Sequence, residues 1–145
     1  MTPTELYRLK TQAWEKNTRA IIARDFSASR MNSTKWAEVI ECLSELNLRY
    51  QIKFVDVPDK VFEVRNLWHV TGDWFDGLLS PFKAISIEWL DINPMEEEDR
   101  GILQKPKLIN RAEEAEKWLA SKSIPYHWEN SAIRIIGHIR NSVSE

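Results

Sequence analysis

His69, Asp73 and Asp76 lie within one stretch of eight residues and carry side chains that metal-dependent and hydrolytic enzymes use. An imidazole and two carboxylates can ligate a metal ion, or act as general base and acid when they converge in one pocket. A metal motif would need a second histidine at helical or hairpin spacing from His69, and neither His127 nor His138 has that spacing, although the two could approach each other across the last hairpin. We therefore predict no metal and no cofactor. A small metal-dependent or hydrolytic enzyme built on His69, Asp73 and Asp76 stays as an alternative.

Aromatic side chains are interleaved with these polar groups, at Trp68, Trp74 and Phe75. Large aromatics are usually buried, so one interpretation is that they close the end of a sheet. The other is a recognition surface, because aromatic anchors rimmed by carboxylates are typical of protein-binding hot spots. A nucleic-acid reader would carry Lys or Arg here, and none lies between Arg65 and Lys83. The predicted partner-binding residues are Trp68, His69, Asp73, Trp74, Phe75, Asp76, Glu96, Glu97, Glu98 and Asp99.

The rest of the sequence contains no catalytic set. Cys42 stands among glutamates on the shoulder of an apolar helix face, where a thiol pKa rises, so we predict a buried structural cysteine. The four glycines are scattered, which leaves no phosphate-binding loop and no nucleophile elbow. The acidic run 96–99 is more typical of a solvated surface than of paired acid–base catalysis. We predict that the chain is not an enzyme.

The net charge of −2 is unevenly distributed along the chain. Residues 31–100 contain seven Lys and Arg against fourteen Asp and Glu, whereas residues 1–30 and 101–145 are net positive. An acidic middle disfavours nucleic acid and favours a cationic protein partner, provided that the carboxylates share one face. We therefore predict a cationic protein partner and no nucleic acid.

Composition also indicates the compartment. The single cysteine gives no reason to expect an oxidising environment. The first residues, MTPTELYRLK, lack the apolar region of a signal peptide, and no apolar run approaches the length of a membrane span. We predict a cytoplasmic protein with no membrane contact.

The strongest periodic signal lies between Met31 and Val57. Apolar residues first recur on one face of a helix, at Trp36, Val39, Ile40, Leu43 and Leu46. They then alternate as in a half-buried strand, at Leu48, Tyr50, Ile52 and Phe54. A helix capped by Asn32 or Ser33 therefore leads within two or three residues into a strand, and the two elements must share an apolar layer.

The remaining elements follow from caps, turns and alternation. The sequence predicts a first helix to about Arg24, a polar break at 25–30, a turn at 58–60, strands at 61–64 and 82–92, a surface loop at 94–101 and a third helix to about Lys122. A change of face predicts a bulge near Trp89–Leu90 or a strand end that is covered on both sides. Two closing strands around an Asn130–Ser131 turn should set Trp128 opposite Ile133.

Together these elements predict an α+β fold in the order α-α-β-β-β-α-β-β. About five mainly antiparallel strands should form one sheet, with the helices packed on one face. Residues 1–145 are predicted to form a single domain, which is the ordinary size for one. The helix within residues 1–30 has sparse apolar positions, so it either packs with a narrow stripe or forms a peripheral arm.

The segments MNSTKW, LRYQIKFVD, IEWLDI and IPYHWENSAIRIIGH resemble a family of small, uncharacterised bacterial single-domain proteins over about residues 31–140. That resemblance implies a shared fold, but it does not imply any particular activity. The whole profile is also similar in type to immunity proteins of bacterial toxin systems, which are small, cytoplasmic and aromatic with an acidic surface. The resemblance implies neutralisation of a cationic toxin domain by binding. A regulatory or scaffold subunit that binds a partner helix through the same aromatic surface is the third hypothesis, and the oligomeric state stays open.

Overall fold

The computed structural model describes residues 2–64, 69–71, 74–76 and 82–141 of the chain. This part of the chain contains the helices α1 (Pro3–Asp25), α2 (Ser33–Glu45) and α3 (Ala112–Ser121). Its strands are β1 (Phe26–Ser29), β2 (Tyr50–Phe54), β3 (Val57–Val64), β4 (His69–Thr71), β5 (Trp74–Asp76), β6 (Phe82–Lys83), β7 (Ile87–Ile92), β8 (Met95–Glu98), β9 (Lys107–Asn110), β10 (His127–Glu129), β11 (Ala132–Ile136) and β12 (His138–Arg140). A 3₁₀ turn, Ala84–Ser86, precedes β7. No helix within the described ranges has the length and apolarity needed to cross a membrane.

Five antiparallel strands form the central sheet, in the order β10-β11-β7-β2-β3. The predicted hairpin turn is confirmed, because Trp128 pairs with Ile133 across Asn130 and Ser131, and Asn130 takes the positive φ of 56° that asparagine tolerates. Smaller sheets pair β1 with β12, join β4, β5 and β6, and pair β8 with β9. The predicted α+β class with a mainly antiparallel five-stranded sheet is therefore confirmed.

The core lies between α2, α3 and one face of the central sheet. The apolar stripe of α2 is buried as its periodicity predicts, at Trp36, Val39, Ile40 and Leu43. It packs against Ile52, Leu90, Ile92, Ile133 and Ile135 of the sheet and against Ala115 and Leu119 of α3. Cys42 belongs to the same cluster, which confirms it as a buried residue. Desolvation raises the pKa of the Cys42 thiol to about 12, so the sulfur stays protonated and unreactive.

Helix α1 contributes little to this core. It begins with a capping box, in which the Thr2 hydroxyl accepts from the Glu5 amide and the Glu5 carboxylate accepts from the Thr2 amide. Among the residues described, Thr18 is the one that α1 buries completely. Polar contacts hold the helix in place, including a hydrogen bond of 2.8 Å from Trp14 Nε1 to Asp56 Oδ2. α1 is therefore tied to the domain mainly through its polar side chains.

Two segments predicted to be irregular are strands. The break at 25–30 contains β1, which pairs with β12 because Phe26 finds a buried position there. The acidic loop predicted at 94–101 contains β8, which pairs with β9 from Met95 opposite Asn110 to Glu98 opposite Lys107. In each case the partner strand lies further along the chain, so the polar residues of the segment itself gave no indication that it would pair.

The turn after β2 and the bulge in β7 also lie at positions that differ from the predicted ones. The chain reverses at 55–56 rather than at 58–60, because β3 already begins at Val57 and lies antiparallel to β2. The bulge in β7 falls on Glu88, one residue before the predicted position, since Lys53 pairs with Trp89 while Phe54 pairs with Ile87. The extra residue lets Ile87 and Leu90 both enter the core.

Candidate functional site

The predicted acidic run lies on the β8–β9 hairpin, and two of its four carboxylates are neutralised within the chain. Glu96 accepts from Arg111 at 3.0 Å and Glu97 lies 3.1 Å from Arg49. Glu98 makes no ion pair among the described residues, and Asp99 caps the turn by accepting from the Gly101 amide at 2.9 Å. Glu96 and Glu97 are therefore less available to a cationic partner than an unpaired acidic run, because arginines beside β2 and α3 reach the strand.

The tip of the same hairpin is apolar and was missed by sequence analysis. Ile102 and Leu103 leave essentially all of their surface to solvent, and Leu108 on β9 is also exposed. Two adjacent aliphatic residues between Gly101 and Pro106 were the signal in the sequence, because a solvent-facing turn normally carries polar residues. A contiguous exposed apolar tip on a small domain is typical of a contact surface.

The base of the hairpin is held rigidly. The Arg111 amide donates to the Pro94 carbonyl at 2.8 Å, and the Met95 amide donates to Asn93 Oδ1 at 3.0 Å. Arg111 Nη1 also binds Glu114 of α3 at 2.9 Å, so the hairpin and the helix share one arginine. The strands that carry the tip are therefore fixed to the domain and to α3.

The aromatic part of the predicted site is placed only in part. The backbone of β4 and β5 sets His69 opposite Asp76, and Phe75 and Trp74 lie on β5 within the small sheet β4-β5-β6. Trp68 and Asp73 lie outside the described residues. Within the described ranges no group of three His, Cys, Asp or Glu residues is placed to hold a metal ion. The recognition role of these residues stays a prediction.

Further carboxylates of the acidic middle without an ion pair in the described part of the chain lie on the outer face of α2. Glu41 and Glu45 are exposed one turn apart, and neither makes an ion pair in the described part of the chain. Glu38, on the same helix, lies 3.6 Å from Lys122 of α3. α2 thus carries a small negative surface, opposite to the side chains that it buries in the core.

A second group of polar residues surrounds a cavity of about 410 Å³ between α1, β1, the start of α2 and β12. His138, which is 7% exposed, lies on its wall. Its Nε2 atom is 2.6 Å from the Ile85 carbonyl oxygen, and its Nδ1 atom is 2.7 Å from Ser29 Oγ. A carbonyl oxygen only accepts, so Nε2 carries the proton and Nδ1 accepts a hydrogen bond from the Ser29 hydroxyl.

Burial lowers the pKa of His138 below its ordinary value of 6.5, although the hydrogen bond to the Ile85 carbonyl and the charge of Glu88 oppose this shift. The imidazole is therefore neutral at pH 7. His127 has different surroundings, because it lies on β10 with Nε2 3.2 Å from Glu129 Oε2. The two histidines that the sequence placed near each other thus have separate partners.

The buried His138 leads to a prediction about stability and pH. The unfolded chain takes up the proton near pH 6.5 and the folded chain takes it up at lower pH. The contribution of His138 to the free energy of unfolding should therefore be fully present above about pH 6.5. Below that value, the free energy of unfolding should fall by up to about 1.4 kcal/mol per pH unit as the pH decreases. Chemical denaturation between pH 7.5 and pH 5.5, with buffers spaced by about half a unit, measures this slope. His138→Gln is the control, and an equal slope in that variant would show that another group is responsible.

The fold and these sites define a small α+β domain with an exposed apolar hairpin and an exposed serine, Ser29, bonded to a buried histidine, His138. The chain belongs to the family of unknown function DUF6678, whose family model matches residues 18–142. The match confirms the predicted membership of an uncharacterised family, and it starts within α1, upstream of the segments that carried the resemblance. No curated protein and no solved structure matches the sequence.

Proposed function

We propose that this chain is a protein-binding module that docks its partner on the tip of the β8–β9 hairpin. Full exposure of Ile102 and Leu103 is the observation that carries the proposal. Burying one such aliphatic side chain is worth about 1.5–3 kcal/mol, so two of them supply a substantial anchor. The charged side chains around the tip, Glu98, Asp99 and Arg100, are suited to a polar rim that excludes water from the contact.

The proposed biological role is that of an immunity protein, which binds a bacterial toxin domain in the cytoplasm and blocks its activity. Support comes from the likeness in type: a small domain, many aromatics, and no recognised catalytic motif in the sequence. The free carboxylates Glu41 and Glu45 on α2 would attract a cationic toxin and raise its association rate. Glu96 and Glu97 would contribute less, because their own arginines neutralise them.

The immunity role is tested by titration calorimetry between the purified chain and a toxin domain taken from a gene adjacent to its own, where such a gene encodes one. We expect one-to-one binding that Ile102→Ser with Leu103→Ser weakens at least about thirtyfold, because truncating anchor residues costs about 2 kcal/mol or more. The melting temperature should stay unchanged, because both side chains lie in solvent. No binding by the adjacent toxin would overturn the immunity role.

A matched control separates the hairpin tip from exposed apolar surface in general. Leu6→Ser with Leu9→Ser removes two aliphatic side chains that α1 also exposes. This variant should bind as tightly as the unmodified chain. Equal losses in both double variants would contradict docking on the hairpin and would indicate a nonspecific apolar contact.

A further inference from the structure

We propose that Ser29 is a nucleophile activated by His138, and that the cavity beside them accepts a short-chain carboxylic ester. This site is separate from the hairpin on which the proposed function depends. Ser29 and His138 pair directly across the β1–β12 ladder, so the backbone fixes the contact between them. The pair joins an exposed serine residue to a buried histidine.

The hydrogen bonds give each group its role. Because the Ile85 carbonyl occupies Nε2–H, the lone pair of His138 Nδ1 is directed at the Ser29 hydroxyl, 2.7 Å away. A nucleophile within reach of a base that a third group orients is the arrangement used in covalent catalysis. The carbonyl here takes the orienting role that a carboxylate takes in serine hydrolases. The depressed pKa of His138 keeps this base unprotonated at neutral pH.

The cavity has the size and the lining for a small acyl substrate. Its volume of about 410 Å³ lies in the range of ordinary ligand pockets. Met31, Trp36 and Ile85 give it an apolar wall suited to an acyl chain. Glu15 and Arg19 of α1 line the polar side and are joined to each other by an ion pair of 3.1 Å.

The start of α2 supplies donors for the charge that develops during acyl transfer. Ser33 lines the cavity and is the first residue of the helix. Amides in the first turn have no partner within the helix, and the Asn32 side chain accepts only from the Lys35 amide, at 2.8 Å. The remaining first-turn amides, that of Ser33 among them, can therefore stabilise the oxyanion of a tetrahedral intermediate.

The reaction balances with water as the only co-reactant. Ser29 Oγ forms a bond to the acyl carbon while its proton moves to His138 Nδ1, and the ester C–O bond then breaks as that proton passes to the leaving alcohol. Water next loses a proton to Nδ1 and attacks the acyl carbon. The acyl–Oγ bond breaks, Ser29 regains its proton, and a carboxylic acid is released.

The test uses the full chain with a fluorophosphonate probe, which labels activated serines, and with p-nitrophenyl butyrate. We expect the probe to modify Ser29, as located by mass spectrometry of peptides, and Ser29→Ala to lower ester hydrolysis at least about tenfold. Ser27→Ala is the matched control, because Ser27 is exposed on the same strand and contacts only the Ile139 carbonyl, at 3.4 Å. It should label and hydrolyse like the unmodified chain.

Several outcomes would overturn the proposal. Absence of labelling, labelling of Ser27 as readily as of Ser29, or unchanged hydrolysis in Ser29→Ala would leave the Ser29–His138 bond a structural cross-strand contact. Circular dichroism of Ser29→Ala shows whether the fold is intact. Toxin binding is measured by calorimetry on the hairpin variants, so a failure at one site does not affect the conclusion about the other.

Discussion

Replacing Arg134 by methionine is expected to lower the free energy of unfolding by about 3 kcal/mol. Arg134 extends from β11 to β7, where Nε and Nη2 donate to the two carboxylate oxygens of Asp91 at 2.7 and 2.9 Å. Because Asp91 is only 8% exposed, the substitution leaves a poorly hydrated carboxylate without its bidentate partner. The guanidinium also stacks on Trp89, with 4.1 Å from Cζ to the ring centroid. Equilibrium denaturation at neutral pH measures the loss.

The double variant Arg134→Met with Asp91→Leu distinguishes the two sources of that loss. Removing both partners leaves no unpaired charge, so the double variant should be more stable than Arg134→Met alone. A double variant as unstable as the single one would attribute the loss to the contact with Trp89. In that case the bidentate pair contributes little to the stability of the sheet.

The Asp91–Arg134 pair illustrates why segment charge misleads. The acidic middle of the chain was interpreted as favouring a cationic partner, yet its buried carboxylates Asp91 and Glu88 are paired with arginines of the positive C-terminal segment. Glu88, 5% exposed, accepts from Arg140 Nη2 at 2.7 Å and lies 3.2 Å from Lys53. Net charge counted along the sequence does not reveal such pairs, because the partners are brought together only by strand order. The carboxylates left for a partner are exposed ones without an ion pair among the described residues, such as Glu41, Glu45 and Glu98.

The features that the sequence predicted well are those determined by neighbours in the chain. The apolar stripe of α2 and the strand that follows it are both determined by the periodicity of apolar residues. The turn at Asn130 depends on one residue that tolerates a positive φ. The capping box at Thr2 is equally local. These elements were sufficient to predict the α+β class and the antiparallel sheet.

The features that were missed depend on pairing between distant segments. β1 is a strand because β12, more than 100 residues later, lies beside it. The same pairing creates the Ser29–His138 contact, so spacing along the sequence held no sign of this site. The sequence predicts a loop at β8, because four consecutive acidic residues are typical of a loop. Ion pairs with Arg111 and Arg49 allow Glu96 and Glu97 to lie on a strand.

Gly137→Ala is expected to destabilise the domain by about 3 kcal/mol, close to the upper end for overpacking. Gly137 lies between β11 and β12, and a Cβ there would collide with the Ile87 carbonyl oxygen and lie 3.1 Å from Trp36 Cζ2. The backbone cannot retreat without losing two hydrogen bonds, from the Gly137 amide to the Glu88 carbonyl at 2.8 Å and from the Arg30 amide to the Gly137 carbonyl at 2.9 Å. For a domain of this size, the loss corresponds to a decrease in melting temperature of about 10 °C.

Gly101→Ala is the matched control, because it adds the same methyl group at a position where no atom is close enough to collide with it. At Gly101 nothing lies within 4 Å of the added Cβ, and the only cost comes from a φ of +105°. That conformational strain is worth about 1 kcal/mol, so Gly101→Ala should retain most of the stability that Gly137→Ala loses. Similar melting temperatures for the two variants would show that β12 can move away from β7. The close approach of Gly137 to Ile87 would then be adjustable rather than rigid.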